Sequence, residues 1–172
     1  HFHFDSLFDS SQFESALRSI SKFIPVDATS LISPHSIEWI VEAGEYRWAC
    51  MDSIVLANQM ELKRIVIGNH CFGKVHLLEI DGLNELESIV IGEKSVAYVE
   101  LSLFTNTEQT GNSCRIVNCP KLVSIEIGEW SFSDYKSLEI SHLPSLKSIE
   151  MGCGCFHRGL SFSLIGLLDG LN

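Results

Sequence analysis

Short runs of alternating apolar and polar residues recur along most of the chain at a fixed interval. LVSIEIGEWSF, which begins at Leu122, is followed 24 residues later by LKSIEMGCGCF, which begins at Leu146. LKRIVIGNHCF at Leu62 and LESIVIGEKSV at Leu86 have the same offset. Such alternation predicts short β-strands with one buried face. Because no strand of this length can bury its apolar face alone, the repeats predict a solenoid of stacked coils of about 24 residues.

The second half of each unit repeats as well. Apolar residues occupy the first, third and sixth places of LEIDGLNE, CRIVNCPK and LEISHLPS, which are residues 78–85, 114–121 and 138–145. One interval is longer, since the unit at Leu86 is followed by the unit at Leu122. The excess predicts an inserted loop at about 99–113. Long loops on a regular scaffold are often functional, and a tolerated insertion at a coil corner explains the excess equally well.

Two further positions of the unit indicate how the coils pack. A glycine follows the first strand of each unit, where the chain needs either a positive φ or a close backbone approach; these residues are Gly44, Gly68, Gly92, Gly128 and Gly152. An aromatic residue ends the segment in four coils, namely Trp48, Phe72, Phe132 and Phe156, with Val96 as the small member. We expect the three phenylalanines to be buried and to stack on one another along the solenoid axis.

The unit L-x-x-I-x-I-G-x-x-[SC]-F resembles leucine-rich repeats, most closely the BspA-like kind, in which each repeat carries I-G-x-x-[AS]-F. The resemblance covers the chain from Glu38 to the C-terminus. It implies a mostly β leucine-rich-repeat solenoid with short parallel strands, which binds other proteins through its sheet. The unit leaves little room for a helix on the second side of the coil, so we expect a second short strand there.

The N-terminal segment, residues 1–37, differs from the solenoid at 38–172. Phe13, Leu17 and Ile20 lie at helical spacing, Ser11 to Glu14 form a capping box, and Pro25 ends the pattern. We therefore expect a helix at about 11–24 that caps the first coil, because terminal units of a stack need cover. Residues between this helix and Glu38 are interpreted as a degenerate first coil.

Composition narrows the classes of function. The formal net charge of −10 argues against nucleic acid, whose binding depends on Lys and Arg. No apolar run reaches the length of a membrane span, about 18–20 residues. Acidic residues are spread through the repeats, which favours a solubilising surface over an acidic binding face.

The six cysteines occupy places that argue against a disulfide framework. Cys114 and Cys119 stand where other units have leucine, and Cys71 and Cys155 stand where other units have serine. Cysteine in such places acts as a small buried hydrophobe. We therefore predict no disulfide and favour a reducing compartment, although a cell-surface location stays open.

Candidate chemistry is sparse. Cys153, Cys155 and His157 form a metal-like cluster, but the C-x-C spacing lacks a second ligand pair. His70 and Cys71 are neighbours in sequence and would point to opposite faces of an extended segment. We also expect the histidines at the start of the chain to bind no metal. We predict a chain that is not an enzyme and binds neither metal nor cofactor.

The remaining candidates are surface residues. We predict that outward residues of the first strands bind a protein partner, together with the loop: Arg64, Val66, Val90, Glu126, Glu150, Phe104, Thr105 and Glu108. In the predicted rows Ile40 neighbours Arg64, and Glu42 neighbours Val66. The alternative is a structural subunit that assembles through the C-terminal end of the stack, where Phe162, Leu164 and Leu167 occupy places that other coils bury. Further copies, or later repeats of a longer chain, would then cover this end.

Overall fold

The computed structural model describes residues 35–41, 53–57, 61–96, 111–157, 159 and 161–165. Within these ranges the chain forms parallel strands that alternate between two five-stranded sheets. Sheet A contains β1 (Glu38–Val41), β3 (Arg64–Ile67), β5 (Ser88–Ile91), β7 (Ser124–Ile127) and β9 (Ser148–Met151). Sheet B contains β2 (Ser53–Ala57), β4 (Leu77–Asp81), β6 (Ser113–Val117), β8 (Ser137–Ser141) and β10 (Ser161–Ile165).

The architecture is a β-solenoid, in which each coil gives one strand to each sheet. Equivalent residues of successive coils pair in register, as Ile65 pairs with Ile89 and Ile89 with Ile125. The predicted coil of about 24 residues and its second short strand are both confirmed. No helix lies in the described part of the chain, and the predicted capping helix at 11–24 falls outside it.

The core lies between the two sheets, because alternate residues of every strand point inward. Ile65 and Ile89 from sheet A and Ile80 and Ile140 from sheet B are almost completely buried in one apolar cluster. The second unit half also supplies inward residues. Cys114 pairs with Leu78 and Leu138 and is buried like them, which confirms its predicted place in the core.

The first corner of each coil follows the sheet A strand; we give this name to residues 68–72, 92–96, 128–132 and 152–156. Its glycine is required by close approach. A Cβ on Gly128 would lie 2.5 Å from the Glu93 nitrogen and 2.6 Å from the Gly92 carbonyl carbon. The glycines therefore let successive corners stack backbone on backbone. Positive φ occurs instead at the places two and four residues later. These are His70, Lys94, Trp130 and Gly154, and then Phe72, Val96, Phe132 and Phe156.

Buried serine hydroxyls join successive first corners. The Ser95 hydroxyl donates to the Gly68 carbonyl at 2.6 Å and accepts the Cys71 N–H at 3.1 Å. Ser131 repeats the pattern one coil later, donating to the Gly92 carbonyl at 2.7 Å and accepting the Ser95 N–H at 3.1 Å. Each serine thus satisfies two backbone groups that no strand pairing reaches. This explains why the repeat carries Ser or Cys at this place.

The aromatic ladder is only partly continuous. Phe132 and Phe156 stack with ring centroids 5.0 Å apart and planes within 2°. Phe72 is buried as predicted, but its ring packs on Trp39 at 6.1 Å because Val96 occupies the coil between Phe72 and Phe132. The expectation that all three phenylalanines stack mutually is therefore wrong for Phe72. Trp48 lies outside the described residues.

Tyr135 is completely buried in the apolar core. Its ring makes an edge contact with Phe132 at 4.9 Å, and its hydroxyl donates to the Val75 carbonyl at 2.7 Å. Tyr135 and Val75 lie in coils that are separated by the coil that contains Val96. Burial raises the pKa of Tyr135 well above its ordinary value, so the phenol keeps the proton that it donates.

The first coil departs from the predicted register by two residues. Glu38 pairs with Arg64, and Ile40 pairs with Val66, whereas the sequence predicted Ile40 beside Arg64 and Glu42 beside Val66. The Gly68 N–H donates to the Val41 carbonyl, as the Gly92 N–H donates to Ile67. The correction moves Ile40 into the row of Val66, and Gly44 itself lies outside the described residues.

Candidate functional site

The outward row of sheet A brings four of the predicted partner-binding residues into one line. Val66, Val90, Glu126 and Glu150 pair in register across β3, β5, β7 and β9. Ile40 extends the row and is 54% exposed. The row therefore changes from apolar to acidic along the solenoid axis. We call Ile40, Val66, Val90, Glu126 and Glu150 the sheet A row.

Arg64, the fifth predicted residue on this sheet, lies in the adjacent outward row. This row continues through Ser88, Ser124 and Ser148. The Arg64 guanidinium is 3.8 Å from the Glu38 carboxylate, and both side chains are about half exposed. The structure thus places Arg64 beside the sheet A row but at its apolar end, away from Glu126 and Glu150.

An open groove of about 370 Å³ lies against the acidic end of the sheet A row. Apolar and glycine positions form much of its lining, and Glu126 and Glu150 add two carboxylates. The lining comprises Val90, Ile91, Glu126, Ile127, Gly128, Glu150, Met151 and Gly152. Met151 is 44% exposed, so the groove presents apolar surface and negative charge together. We call it the sheet A groove.

The first corners extend this surface with a feature that the sequence reasoning missed. Trp130 follows the groove residue Gly128 by two positions and is 46% exposed, with φ at 58°. Its ring lies on Gly154 of the next coil, where a Cβ would come within 2.6 Å of the indole. The His157 ring lies 6.3 Å away. In the sequence, this feature was visible as a tryptophan at a corner position where the other coils have His70, Lys94 or Gly154.

The adjoining corners carry charged side chains of both signs, since the exposed Lys94 follows Glu93. Glu93 and Glu129 are exposed and immediately follow the glycines of their corners. Among the described residues no Lys or Arg lines the groove itself, whose charged side chains are Glu126 and Glu150. Among the described residues neither Glu126 nor Glu150 has an ion-pair or hydrogen-bond partner for its carboxylate. Like charges on neighbouring strands destabilise a sheet.

The outward face of sheet B has the opposite character, because its acidic side chains contact a cation of the same sheet. The Arg115 guanidinium lies 2.8 Å from Glu79, 3.0 Å from Asp81 and 3.2 Å from Glu139. Asn118 donates a further hydrogen bond to Asp81 at 2.8 Å. Hydrogen bonding to Asp81 and Glu79 raises the pKa of Arg115. These contacts cross three coils and leave the face closed by its own ion pairs.

A second open groove, of about 460 Å³, lies beside the turns that precede β5, β7 and β9. Its charged lining is mixed, with Glu87, Lys121 and Lys147. The Lys121 ammonium is 2.7 Å from the Glu85 carboxylate, and this hydrogen bond lowers the pKa of Glu85. This groove therefore lacks the single sign of charge that marks the sheet A groove.

The cysteine and histidine candidates separate in the structure. Cys71 is buried whereas the neighbouring His70 is exposed, so the pair lies on two sides of the corner. The Cys155 thiol donates to the Gly128 carbonyl at 3.1 Å, and burial raises its pKa. No disulfide joins any of the described cysteines, which are Cys71, Cys114, Cys119, Cys153 and Cys155. Within the described ranges, no group of three or more His, Cys, Asp or Glu is placed to hold a metal ion.

The candidate assembly end is described in part. Phe162 pairs with Leu138 and Leu164 with Ile140, as the repeat predicted. Unlike their partners, Phe162 and Leu164 are 56% and 54% exposed. Leu167 and the loop residues Phe104, Thr105 and Glu108 lie outside the described residues.

The fold and the surface define a class, a parallel two-sheet β-solenoid built from a repeat of about 24 residues. Comparisons with protein-family models, with curated proteins and with solved structures find no match to the chain. Within the described residues, no helix has the length and apolar character needed to cross a membrane.

Proposed function

We propose that the chain is a non-catalytic protein-interaction module of the leucine-rich-repeat type, and that its partner binds the outward face of sheet A. One observation carries the proposal. On the sheet B face Glu79 and Glu139 each contact the Arg115 guanidinium, whereas Glu126 and Glu150 on sheet A have no such cation among the described residues and border an open groove. A partner that supplied the missing contacts would remove this imbalance.

The character of the sheet A row supports the same function. Its exposed residues combine apolar surface with charge, and Trp130 lies at the corner beside it. Tryptophan is among the residues most often found at the energetic centre of protein interfaces. The resemblance of the repeat to leucine-rich repeats, which commonly bind proteins through their sheet, supports a sheet-bound partner. The insertion at 99–113 is proposed as a second contact from its length alone.

Site-specific photo-crosslinking tests the proposal in cells that produce the chain. A photoreactive residue replaces Val90 on the sheet A row, and Val55 on the outward row of sheet B serves as the control. Both valines are partly exposed and lie in the middle of a strand, so the two variants differ in the face that they probe. We expect a discrete protein adduct from position 90 and not from position 55.

Equal crosslinking from both positions, or none from position 90, would contradict the proposal. Each adduct is identified by mass spectrometry, and the interaction is then measured with the purified partner. An adduct that contains only a second copy of this chain would also contradict the proposal, because sheet A would then be a surface of self-association.

The alternative is a structural subunit that assembles through its last coil. The exposure of Phe162, Leu164 and Ile165, at places that earlier coils bury or partly bury, favours it. Leu164→Glu, with Leu167→Glu as a second substitution, would then lower association in sedimentation experiments. Ser163→Glu on the outward row is the matched control. If the charges at 164 and 167 change neither association nor stability, this alternative fails.

A further inference from the structure

We propose that the sheet A groove binds an arginine-bearing, partly apolar segment of the partner protein, with a guanidinium held by Glu126 and Glu150 and stacked near Trp130. This inference rests on the proposed function, because it names the chemistry of the partner at the same face. It commits to a cationic protein segment and excludes an acidic or purely apolar one.

The first step is charge complementarity. Glu126 and Glu150 lie on adjacent paired strands, and parallel strands are about 4.8 Å apart. Both are exposed and lack a cation within the described part of the chain. Two carboxylates at this spacing repel each other and offer acceptor oxygens to one shared donor group. A guanidinium has enough donors to serve both carboxylates. On sheet B one guanidinium, that of Arg115, contacts two glutamates that lie on either side of its own strand.

Comparison of the two sheets strengthens this step. Arg115 occupies the central strand of its row, with a glutamate on each side. The sheet A row carries its two glutamates side by side and has Val90 at the place next to Glu126. The glutamates of the sheet B row therefore contact a cation of their own sheet, whereas those of the sheet A row have none among the described residues.

Apolar side chains and an exposed indole lie near the paired carboxylates. Val90 and Met151 line the groove, and Trp130 lies at the adjoining corner with its indole supported by Gly154. Arginine stacks its planar guanidinium on aromatic faces while it donates to carboxylates, whereas lysine is a compact and strongly hydrated charge. The combination of paired carboxylates and an exposed indole thus favours arginine over lysine.

The order of residues along the sheet A row also favours one direction for the bound segment. The sheet A row is apolar from Ile40 to Val90 and acidic at Glu126 and Glu150. A segment that lies along the solenoid axis therefore meets apolar positions first and carboxylates second. Its contacting residues should be apolar at one end and basic at the other.

Binding of a synthetic peptide to the full chain tests the inference. The probe is a fluorescein-labelled peptide in which Val, Val, Arg and Arg occupy alternate positions separated by Ser. Companion peptides carry Lys, Gln or Glu in place of Arg. Fluorescence anisotropy is measured at physiological salt and at about 0.5 M salt, where exposed charge interactions are screened. We expect the arginine peptide to bind at least about tenfold more tightly than the Gln and Glu peptides, with Lys between them.

Charge-reversal variants separate a local site from general attraction by a chain of net charge −10. The double variant Glu126→Lys/Glu150→Lys should lose at least about tenfold in affinity for the arginine peptide. The control Glu61→Lys/Glu87→Lys changes the net charge equally at exposed glutamates that precede β3 and β5. It should change the affinity by no more than about twofold, because these residues lie at the opposite strand ends from the groove.

A third variant tests the indole. Trp130→Gly is compatible with the fold, since glycine tolerates the φ of 58° and Gly154 occupies the same place in the next coil. This substitution should weaken binding of the arginine peptide several-fold and should weaken binding of the lysine peptide less. The variant Glu126→Gln/Glu150→Gln should also lose affinity for the arginine peptide, although it adds no positive charge. Circular dichroism and thermal melting are recorded for every variant.

The outcomes decide between clear alternatives. Equal losses from both charge-reversal variants, or equal binding of the arginine and glutamate peptides, would overturn the inference. Equal weakening of the arginine and lysine peptides by Trp130→Gly would overturn the stacking assignment. If Val90 crosslinks a partner but the peptides show no preference for arginine, the proposed function stands and this inference fails. If Val90 gives no adduct and the peptides show no preference, both fail.

Discussion

Replacing Ser131 with alanine tests whether the buried hydroxyls at the first corners hold successive coils together. The hydroxyl is completely buried, donates to the Gly92 carbonyl at 2.7 Å and accepts the Ser95 N–H at 3.1 Å. Alanine removes both bonds and leaves the two backbone groups in an apolar interior. A typical hydrogen bond contributes about 0.5–1.5 kcal/mol net, and an unsatisfied buried group costs about 1–3 kcal/mol. We therefore expect Ser131→Ala to lower the free energy of unfolding by about 2–4 kcal/mol.

Two control variants make the comparison specific. Ser131→Cys retains a donor, and Cys155 shows at the equivalent place that a thiol reaches the corner carbonyl at 3.1 Å. We expect it to cost about 1 kcal/mol, because a thiol is a weaker donor and acceptor. Ser124→Ala changes an outward, partly exposed serine of β7 and should stay within about 0.5 kcal/mol of the unchanged chain.

Urea unfolding, followed by circular dichroism and by tryptophan fluorescence, measures these free energies. The order expected for the loss of stability is Ser131→Ala, then Ser131→Cys, then Ser124→Ala. If Ser131→Ala costs no more than Ser124→Ala, the hydroxyls do not stabilise the stack, and the Ser or Cys preference at this place needs another cause. A changed urea dependence of the free energy would instead indicate altered cooperativity between coils.

Three further predictions address other positions. Phe132→Ala should cost about 3–5 kcal/mol in the same urea assay, the usual loss for a large buried aromatic, and a value below about 1 kcal/mol would contradict the ladder. Gly128→Ala should be clearly more destabilising than Gly82→Ala in thermal melts, because the added Cβ meets backbone at 2.5 Å only at Gly128; the reverse order would contradict corner stacking. In the native chain a thiol reagent should modify exposed Cys153 quickly and Cys114 only on unfolding, since burial blocks access and raises the pKa of Cys114; equal rates, measured by mass spectrometry, would refute this placement.

The repeat made much of the fold predictable, because the same few inward places recur in every coil. Ile65, Ile89 and Ile125 align in the sequence and also pair in the structure. The Phe132–Phe156 stack follows from the same alignment. Stacking of identical neighbours imposes this regularity, since an inward residue must fit the equivalent residues above and below it.

The register of the first coil could not be derived in the same way. A shift of two residues keeps every side chain on the same face of the strand, so alternation of apolar and polar residues does not detect it. The apparent match of Gly44 to Gly68 therefore gave the wrong pairing, whereas the structure places Trp39 beside Ile65 and Ile40 beside Val66.

Contacts across several coils were also beyond the sequence pattern. Arg115 and its acidic partners occupy outward places that the repeat leaves variable, and Tyr135 reaches Val75 past the coil of Val96. Trp130 occupies a corner place with no consistent residue type, so the pattern gave it no role. In each case the relevant neighbour lies one or two coils away, which alignment of coils cannot reveal until their register is known.

The division between inward and outward places also explains where function is to be sought. Inward residues must resemble their neighbours in adjacent coils, so their chemistry is set by packing. Outward residues carry no such constraint, and differences between coils are free to accumulate there. On sheet B Arg115 lies between two glutamates and contacts both of them. On sheet A Glu126 and Glu150 stand together beside apolar residues and an exposed indole. The asymmetry between two faces of one repeat is therefore the strongest argument that sheet A meets a cationic partner.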